Sequence, residues 1–176
     1  SLMAQVDAAI GGKCAVDIGS SKNTFGVFQF AKEVLIYTPF LETLPEEERL
    51  SGFAEMLKHG IISDPNFWTA LTYIDPKNTS ELALFVEHSV QIKSEIVKED
   101  PTEKNSRKKL NYGHTVGHAI ESFFLEKNTP ISHGKAIAWG MQIENNIAVR
   151  EQLMLPQTAS EINEYLHLHF GEPPQF

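Results

Sequence analysis

The sequence predicts a mainly helical chain preceded by a short loop-and-strand segment, and three observations predict it. From Pro45 onward, apolar residues recur at helical spacing in segments separated by Pro, Asn, Gly and Asp. Before Pro45, residues 11–26 carry four Gly among small and turn-forming residues, and the β-rich run Glu33 to Thr38 stops at Pro39. The 176 residues, 41% hydrophobic and 22% charged, supply a core for one domain or a domain and a fraction, and they exclude disordered, collagen-like and fibrous chains.

In chain order, residues 11–26 read as a loop-rich segment whose backbone can approach a ligand. Residues 33–38 read as one strand, which needs partners because a lone strand is unstable. Pro45 followed by Glu46, Glu47 and Glu48 starts a helix, since acidic side chains suit the positive end of the helix dipole. Helices are expected at 45–63, 65–74, 79–98, 106–127, 133–152 and 157–169, with Thr79-Ser80-Glu81 and Pro156 to Ser160 as starts. No fixed-period repeat or low-complexity stretch is present.

Fifteen Lys and Arg against 23 Asp and Glu give a net charge of −8, so no nucleic-acid partner is expected and any anionic ligand must meet a local basic cluster. The single cysteine, Cys14, allows no internal disulfide and suits a cytoplasmic location. No apolar run approaches the ~18–20 residues of a membrane span and no basic-then-apolar leader opens the sequence, so no membrane partner is expected. The sequence begins Ser1-Leu2, which fits a piece of a longer protein.

The segment Leu110-Asn111-Tyr112-Gly113-His114-Thr115-Val116-Gly117-His118-Ala119-Ile120-Glu121 asks for a chemical explanation. Four residues on a helix turn through roughly 400°, so His114 and His118 share a face about 40° apart. Two helical glycines would each cost about 0.8–1 kcal/mol relative to Ala, which suggests close approach of a backbone or ligand. The pair lacks the Glu of the HExxH protease pattern. His133 stands at another helix entrance. Glu55, set in Gly52-Phe53-Ala54-Glu55-Met56-Leu57-Lys58-His59-Gly60, is expected to be partly buried, and then paired or bound to a metal; Lys58 one turn on offers an ordinary ion pair. One Glu and two His form a sound zinc set with an open position, although spacing alone leaves open which histidines are ligands. His59, His88, His167 and His169 give weaker signals, and Phe123, Phe124, Trp68 and Trp139 read as core.

Four stretches, GGKCAVDIGSSKN, SGFAEMLKHGII, RKKLNYGHTVGHAIES and SHGKAIAWGM, resemble in order and spacing the signatures of the 3-dehydroquinate synthase family, over about Val6 to Met141. The resemblance implies a helical metal- and substrate-binding domain over 45–176, preceded at 1–44 by a remnant, loop plus strand, of a Rossmann-like NAD domain. It implies conversion of 3-deoxy-arabino-heptulosonate 7-phosphate to 3-dehydroquinate plus phosphate, in the shikimate pathway to chorismate and aromatic amino acids. The cofactors it implies are NAD and a divalent metal, zinc or cobalt. Carried over by position, Glu55, His114 and His133 match the metal ligands, and His118 matches a proton-handling, substrate-contacting residue. Lys13, Asn23 and Lys58 match further catalytic positions, and Asp7, Lys93, Arg107 and Asn111 match substrate contacts. Lys13, Lys22 and the run Phe40, Leu41, Glu42 and Thr43 fall where the family touches NAD. Lys13, Lys58, Lys93 and Arg107 would then neutralise a phosphorylated sugar acid. The complete enzyme is expected to be a homodimer.

The sequence departs from the family at Lys135, where Glu is usual after His133-Gly134, at Tyr37, and at Asn105-Ser106. Most of the NAD domain is expected to lie outside these residues, leaving the chain inactive alone. Related sugar-phosphate cyclases, such as aminodehydroquinate, inosose or valiolone synthases, share the metal set. A non-catalytic helical module is the alternative from another class.

Overall fold

The computed structural model describes residues 1–18 and 21–175, without the side chains of Asp17, Ser21, Lys22 and Asn23. It divides into two compact units, Ser1–Leu110 and Asn111–Phe176.

The first unit opens with a π-helical turn, Ala4–Ala8, followed by an antiparallel hairpin of β1 (Lys13–Ile18) and β2 (Ser21–Phe28). Lys13 pairs with Phe28, Cys14 with Val27 and Val16 with Phe25, and the register shifts between Val16 and Ile18. The expected loop at 11–26 is therefore mostly strand. Alternating Cys14, Val16 and Ile18, then Phe25 and Val27, carry a period-two signal that the glycines obscured. The strand expected at 33–38 does not form. Residues 33–37 are irregular, Leu35 is 89% exposed, and a 3-10 turn covers Thr38–Leu41. Among the described residues the sheet consists of β1 and β2 alone, so this segment joins no ladder.

Three helices complete this unit. α1 (Glu46–Ser63) is buried continuously from Ser51 to Gly60, so apolar and charged side chains alike are enclosed on all sides. Close packing requires Gly52, where a Cβ would stand 2.5 Å from Leu2 Cγ and 2.6 Å from the Met3 nitrogen. α2 (Pro65–Thr72) starts at Asp64, whose carboxylate accepts from the Asn66 and Phe67 amides at 3.0 and 3.1 Å. α3 (Thr79–Glu99) starts at Asn78, which accepts from the Ser80 and Glu81 amides at 3.1 and 3.3 Å.

The helix expected at 106–127 is broken. A 3-10 turn covers Ser106–Asn111, and α4 begins only at His114 (His114–Glu126). Gly113 sits between them at φ +77, a left-handed conformation incompatible with helix continuation. α5 (His133–Arg150) and α6 (Pro156–Phe170) complete the second unit. The Trp139 indole on α5 donates to the carbonyls of Phe170 and Gly171, each at 3.1 Å, fastening the end of α6. Trp139 is core as expected, whereas Phe123 is 39% exposed. No described helix is long and apolar enough to cross a membrane.

Candidate functional site

The chemistry-bearing residues gather in two clusters, one in each unit. In the second unit, His114, His118 and His133 form a triangle with ring centroids 5.2, 5.5 and 5.6 Å apart. Glycine packing brings them together. A Cβ on Gly140 of α5 would stand 2.0 Å from the Gly113 carbonyl oxygen and 2.7 Å from the Gly117 nitrogen, and one on Gly117 would meet the Ala136 carbonyl at 2.9 Å. The suspected close approach at the glycines is thus that of helix backbone to helix backbone. Because Gly113 has no capping side chain, Glu144 of α5 serves the start of α4, accepting from the Gly113 amide at 2.8 Å and the Val116 amide at 3.4 Å.

Each of two rings is oriented by what its Nδ1 faces. His114 Nδ1 lies 3.1 Å from the Tyr112 carbonyl and His133 Nδ1 lies 3.3 Å from a Glu121 carboxylate oxygen. A carbonyl and a carboxylate only accept, so both Nδ1 atoms donate and Nε2 is the metal-competent nitrogen in each ring. One ligand atom from each of the three histidines lies within 4.8 Å of the others. With Zn–N bonds of about 2.0–2.1 Å, tetrahedral ligand atoms stand about 3.3 Å apart, a spacing within reach of small side-chain rotations. This donor set fits zinc or another first-row divalent ion. The geometry brings His118 in as a full member, and Glu121, absent from the expected site, is the orienting carboxylate. Its signal was present in the sequence, because Glu121 follows His118 by three residues and His114 by seven on one helical stripe.

In the first unit, four charges and a histidine converge. Glu55 is 0% exposed and Lys58 is 1% exposed, and the two are paired. Lys93 Nζ donates to Asp7 Oδ1 at 2.7 Å and to the Asp7 carbonyl at 2.6 Å. Lys58 Nζ stands 3.6 Å from the same Oδ1. His59 Nε2 is 3.5 Å from that oxygen, long for a hydrogen bond, and its Nδ1 is 2.8 Å from Ser89 Oγ. Asp7 and Glu55 carry two negative charges against the two positive charges of Lys58 and Lys93, so the expected basic cluster is internally neutralised.

Burial alone would raise the Asp7 carboxyl, but Lys58, His59 and Lys93 together hold it well below its ordinary value. Burial also opposes the charge on Lys58, yet Glu55 and Asp7 leave its ammonium raised. For Lys93 burial prevails over Asp7 and lowers it. Burial lowers His59, with Lys58 adding to the effect and Asp7 opposing it.

Lys13 is paired with Glu103, and the buried Arg107 donates to the carbonyls of Pro101 at 2.7 Å and Gly11 at 2.8 Å, with Phe28 against its guanidinium. Phe40, Glu42 and Thr43 are exposed, whereas Leu41 is core. Asn111 is exposed at the start of the second unit. The side chains of Lys22 and Asn23 lie outside the described residues. Lys135 sets its ammonium 4.9 Å from the Trp139 ring centroid, a cation–π contact one turn along α5. His88 pairs with Asp64 at 2.9 Å.

The fold that carries these two clusters is that of the sugar-phosphate cyclases. A crystal structure of 2-deoxy-scyllo-inosose synthase complexed with carbaglucose-6-phosphate, NAD+ and Co2+ is similar with a TM-score of 0.84 and 29% identity, covering 97% of this chain and 47% of that one. The chain belongs to the 3-dehydroquinate synthase family, whose N-terminal model matches residues 1–51 and whose C-terminal model matches residues 52–173. A 3-dehydroquinate synthase of Parabacteroides distasonis is 47% identical over 146 residues, 82% of this chain and 41% of its own length. One from Chlamydia pneumoniae is 39% identical over 170 residues, 94% of this chain and 44% of its own length. The chain thus spans about half the length of the curated relatives it matches.

Proposed function

We propose that this chain is the metal- and substrate-binding part of a 3-dehydroquinate synthase, converting 3-deoxy-arabino-heptulosonate 7-phosphate to 3-dehydroquinate and phosphate. The observation that carries the reading is the histidine triangle of a family member, with the Nδ1 edges of His114 and His133 tied back by Tyr112 and Glu121. Glu55, His114 and His133 are the proposed metal ligands, following the family motifs. When bound, the divalent ion, zinc or cobalt, supplies Lewis-acid polarisation of substrate hydroxyls, and NAD supplies reversible hydride acceptance.

The chain's own residues bind, orient and move protons. His118 Nε2 or Nδ1 takes and returns a substrate proton, being the histidine of the triangle left outside the proposed ligand set. Lys58 and Lys93 exchange part of their pairing with Asp7 and Glu55 for the substrate's carboxylate and phosphate oxygens. Asp7, 21% exposed, keeps both ammoniums aimed at that volume. Lys13, Asn23, Arg107 and Asn111 add substrate contacts, and Lys13, Lys22 and residues 40–43 contact NAD. Residues 1–44 belong to the cofactor-binding domain and 45–176 to the metal domain. The complete enzyme is a homodimer in the cytoplasm, a compartment supported by the single cysteine. Turnover draws on more of the family's architecture than these residues.

The test is metal stoichiometry and turnover of the purified chain. One zinc or cobalt per chain, lost in His133→Ala, with no dehydroquinate formed from the heptulosonate phosphate and NAD, is the expected result. A chain that binds no divalent ion would sink the reading and favour a non-catalytic helical module. The likeness to 2-deoxy-scyllo-inosose synthase supports a second reading, a related cyclase. Tighter binding of carbaglucose-6-phosphate than of the heptulosonate phosphate would favour it.

A further inference from the structure

The sequence offered no partner for His59, yet the fold encloses it between Asp7 and Ser89 at 0% exposure for both His59 and Ser89. Asp7 Oδ1 is approached from three sides, by Lys93 at 2.7 Å, His59 Nε2 at 3.5 Å and Lys58 at 3.6 Å. Those neighbours come from α1 and α3, while Asp7 itself sits on a turn of only five residues, Ala4–Ala8. A short turn gives its side chain little local support. The contacts that place the Asp7 side chain therefore come from the groups around it.

We propose that His59 is a positioning residue, with Ser89 fixing its ring in the Nε2–H tautomer so that it holds Asp7 Oδ1 where Lys93 and Lys58 can both reach it. The chemistry selects this tautomer. Nε2 faces a carboxylate oxygen, where a lone pair would be repelled and an N–H attracted. Nδ1 faces a hydroxyl, which can donate or accept. The ring carries its proton on Nε2, and the Ser89 O–H donates to Nδ1. Burial and the neighbouring Lys58 ammonium keep the ring neutral, which leaves one acceptor nitrogen for Ser89.

The relay Ser89–His59–Asp7 thus connects the middle of α3 to the carboxylate that aligns both lysines. It deepens the anion-binding role given above to Lys58 and Lys93 and rests on that reading for its purpose. Its test needs neither metal nor substrate, so it can fail or succeed apart from that reading.

Histidine 15N spectra of the full chain at neutral pH should place His59 Nδ1 in the unprotonated range and Nε2 in the protonated range. Reductive methylation of lysines, followed by mass spectrometry, should find Lys93 protected. In Ser89→Ala the His59 signals should move toward tautomer averaging and Lys93 labelling should rise about fivefold, the scale of one lost net hydrogen bond. Ser89→Thr, which keeps the hydroxyl, should restore both. His59→Phe, which keeps an aromatic ring but no donor, should also raise Lys93 labelling, and His59→Gln should bring it back toward wild type. An Nδ1–H tautomer or an imidazolium in the wild type would overturn the proposal. So would unchanged Lys93 labelling in Ser89→Ala and His59→Phe, with circular dichroism matching the wild type.

Discussion

The charged cluster of the first unit and the histidine triangle of the second hold polar groups in order by opposite means. Glu55, Lys58, Lys93 and Asp7 neutralise one another, all but Asp7 behind nearly complete burial, and each group pairs with another member of the cluster. The three histidines are only partly buried, and what orients them lies at the ring edges, a carbonyl for His114 and a carboxylate for His133. A self-neutralised buried cluster couples each member to folding. A half-exposed group of rings is coupled to folding more weakly.

The contrast can be broken most severely at Glu55. In Glu55→Ala the Lys58 ammonium, 1% exposed, keeps only Asp7 at 3.6 Å as a carboxylate partner. A buried charge deprived of its partner costs about 3–5 kcal/mol, and urea denaturation of the metal-free chain should read a loss of that size. His114→Ala, under the same conditions, should cost less than about 1 kcal/mol while abolishing metal binding. Equal stability losses in the two variants would erase the distinction between the clusters.

The second unit is vulnerable where its helices touch. Gly140→Ala would place a Cβ 2.0 Å from the Gly113 carbonyl oxygen, a clash with backbone that no side-chain rotation relieves. Overpacking of this kind costs about 2–3 kcal/mol, and it should also weaken metal binding by separating α4 from α5. Gly117→Ala meets the Ala136 carbonyl at the milder distance of 2.9 Å and should cost less. Thermal unfolding of both variants checks the order, and a Gly140→Ala chain as stable as wild type would refute the glycine contact as the device that gathers the histidines.

Glu121→Gln sharpens the same contrast with a smaller effect. The amide retains an oxygen for His133 Nδ1 but loses the charge that strengthens the contact and orients the ring. Cobalt affinity measured by absorption titration should fall about 10–100-fold, with little change in unfolding. Unaltered affinity would remove Glu121 from the site.

Helical content was legible because amphipathic spacing and local caps are written in adjacent residues, as at Asp64 and Asn78. The hairpin was missed because the glycines and turn-forming residues between its strands outweighed a short alternation. The strand expected at 33–38 had the right composition, but strand formation depends on a neighbouring edge that local sequence does not specify. The break at Gly113 escaped notice because a helical glycine and a left-handed glycine look alike in sequence. His114, His118, His133 and Glu55 stood out by residue type and spacing. His59 and Ser89 did not, since 30 residues separate them and only the packing of α1 against α3 makes them partners.

That hidden pair yields the smallest expected effect, in the pH dependence of stability. The groups facing His59 are Asp7 from the π-helical turn, Lys58 and Glu55 from α1, and Lys93 from α3. Burial depresses the folded-state value of His59 below about 6.5, its ordinary unfolded value. Above that pH neither state binds the proton and His59 contributes no slope. Below it the unfolded chain takes up a proton that the folded chain refuses, so stability falls as pH falls, by up to about 1.4 kcal/mol per pH unit until the folded value is reached. Asp7 adds no slope in this window, because its carboxyl is held well below the usual carboxylate range and stays ionised in both states. Urea denaturation at pH 7.5 and 5.5 should show the metal-free wild type losing about 1 kcal/mol more than His59→Gln. The other histidines are common to both chains and cancel in the difference. An equal loss in the two would mean that His59 binds its proton as readily when folded as when unfolded, so that burial in the first unit does not set its charge.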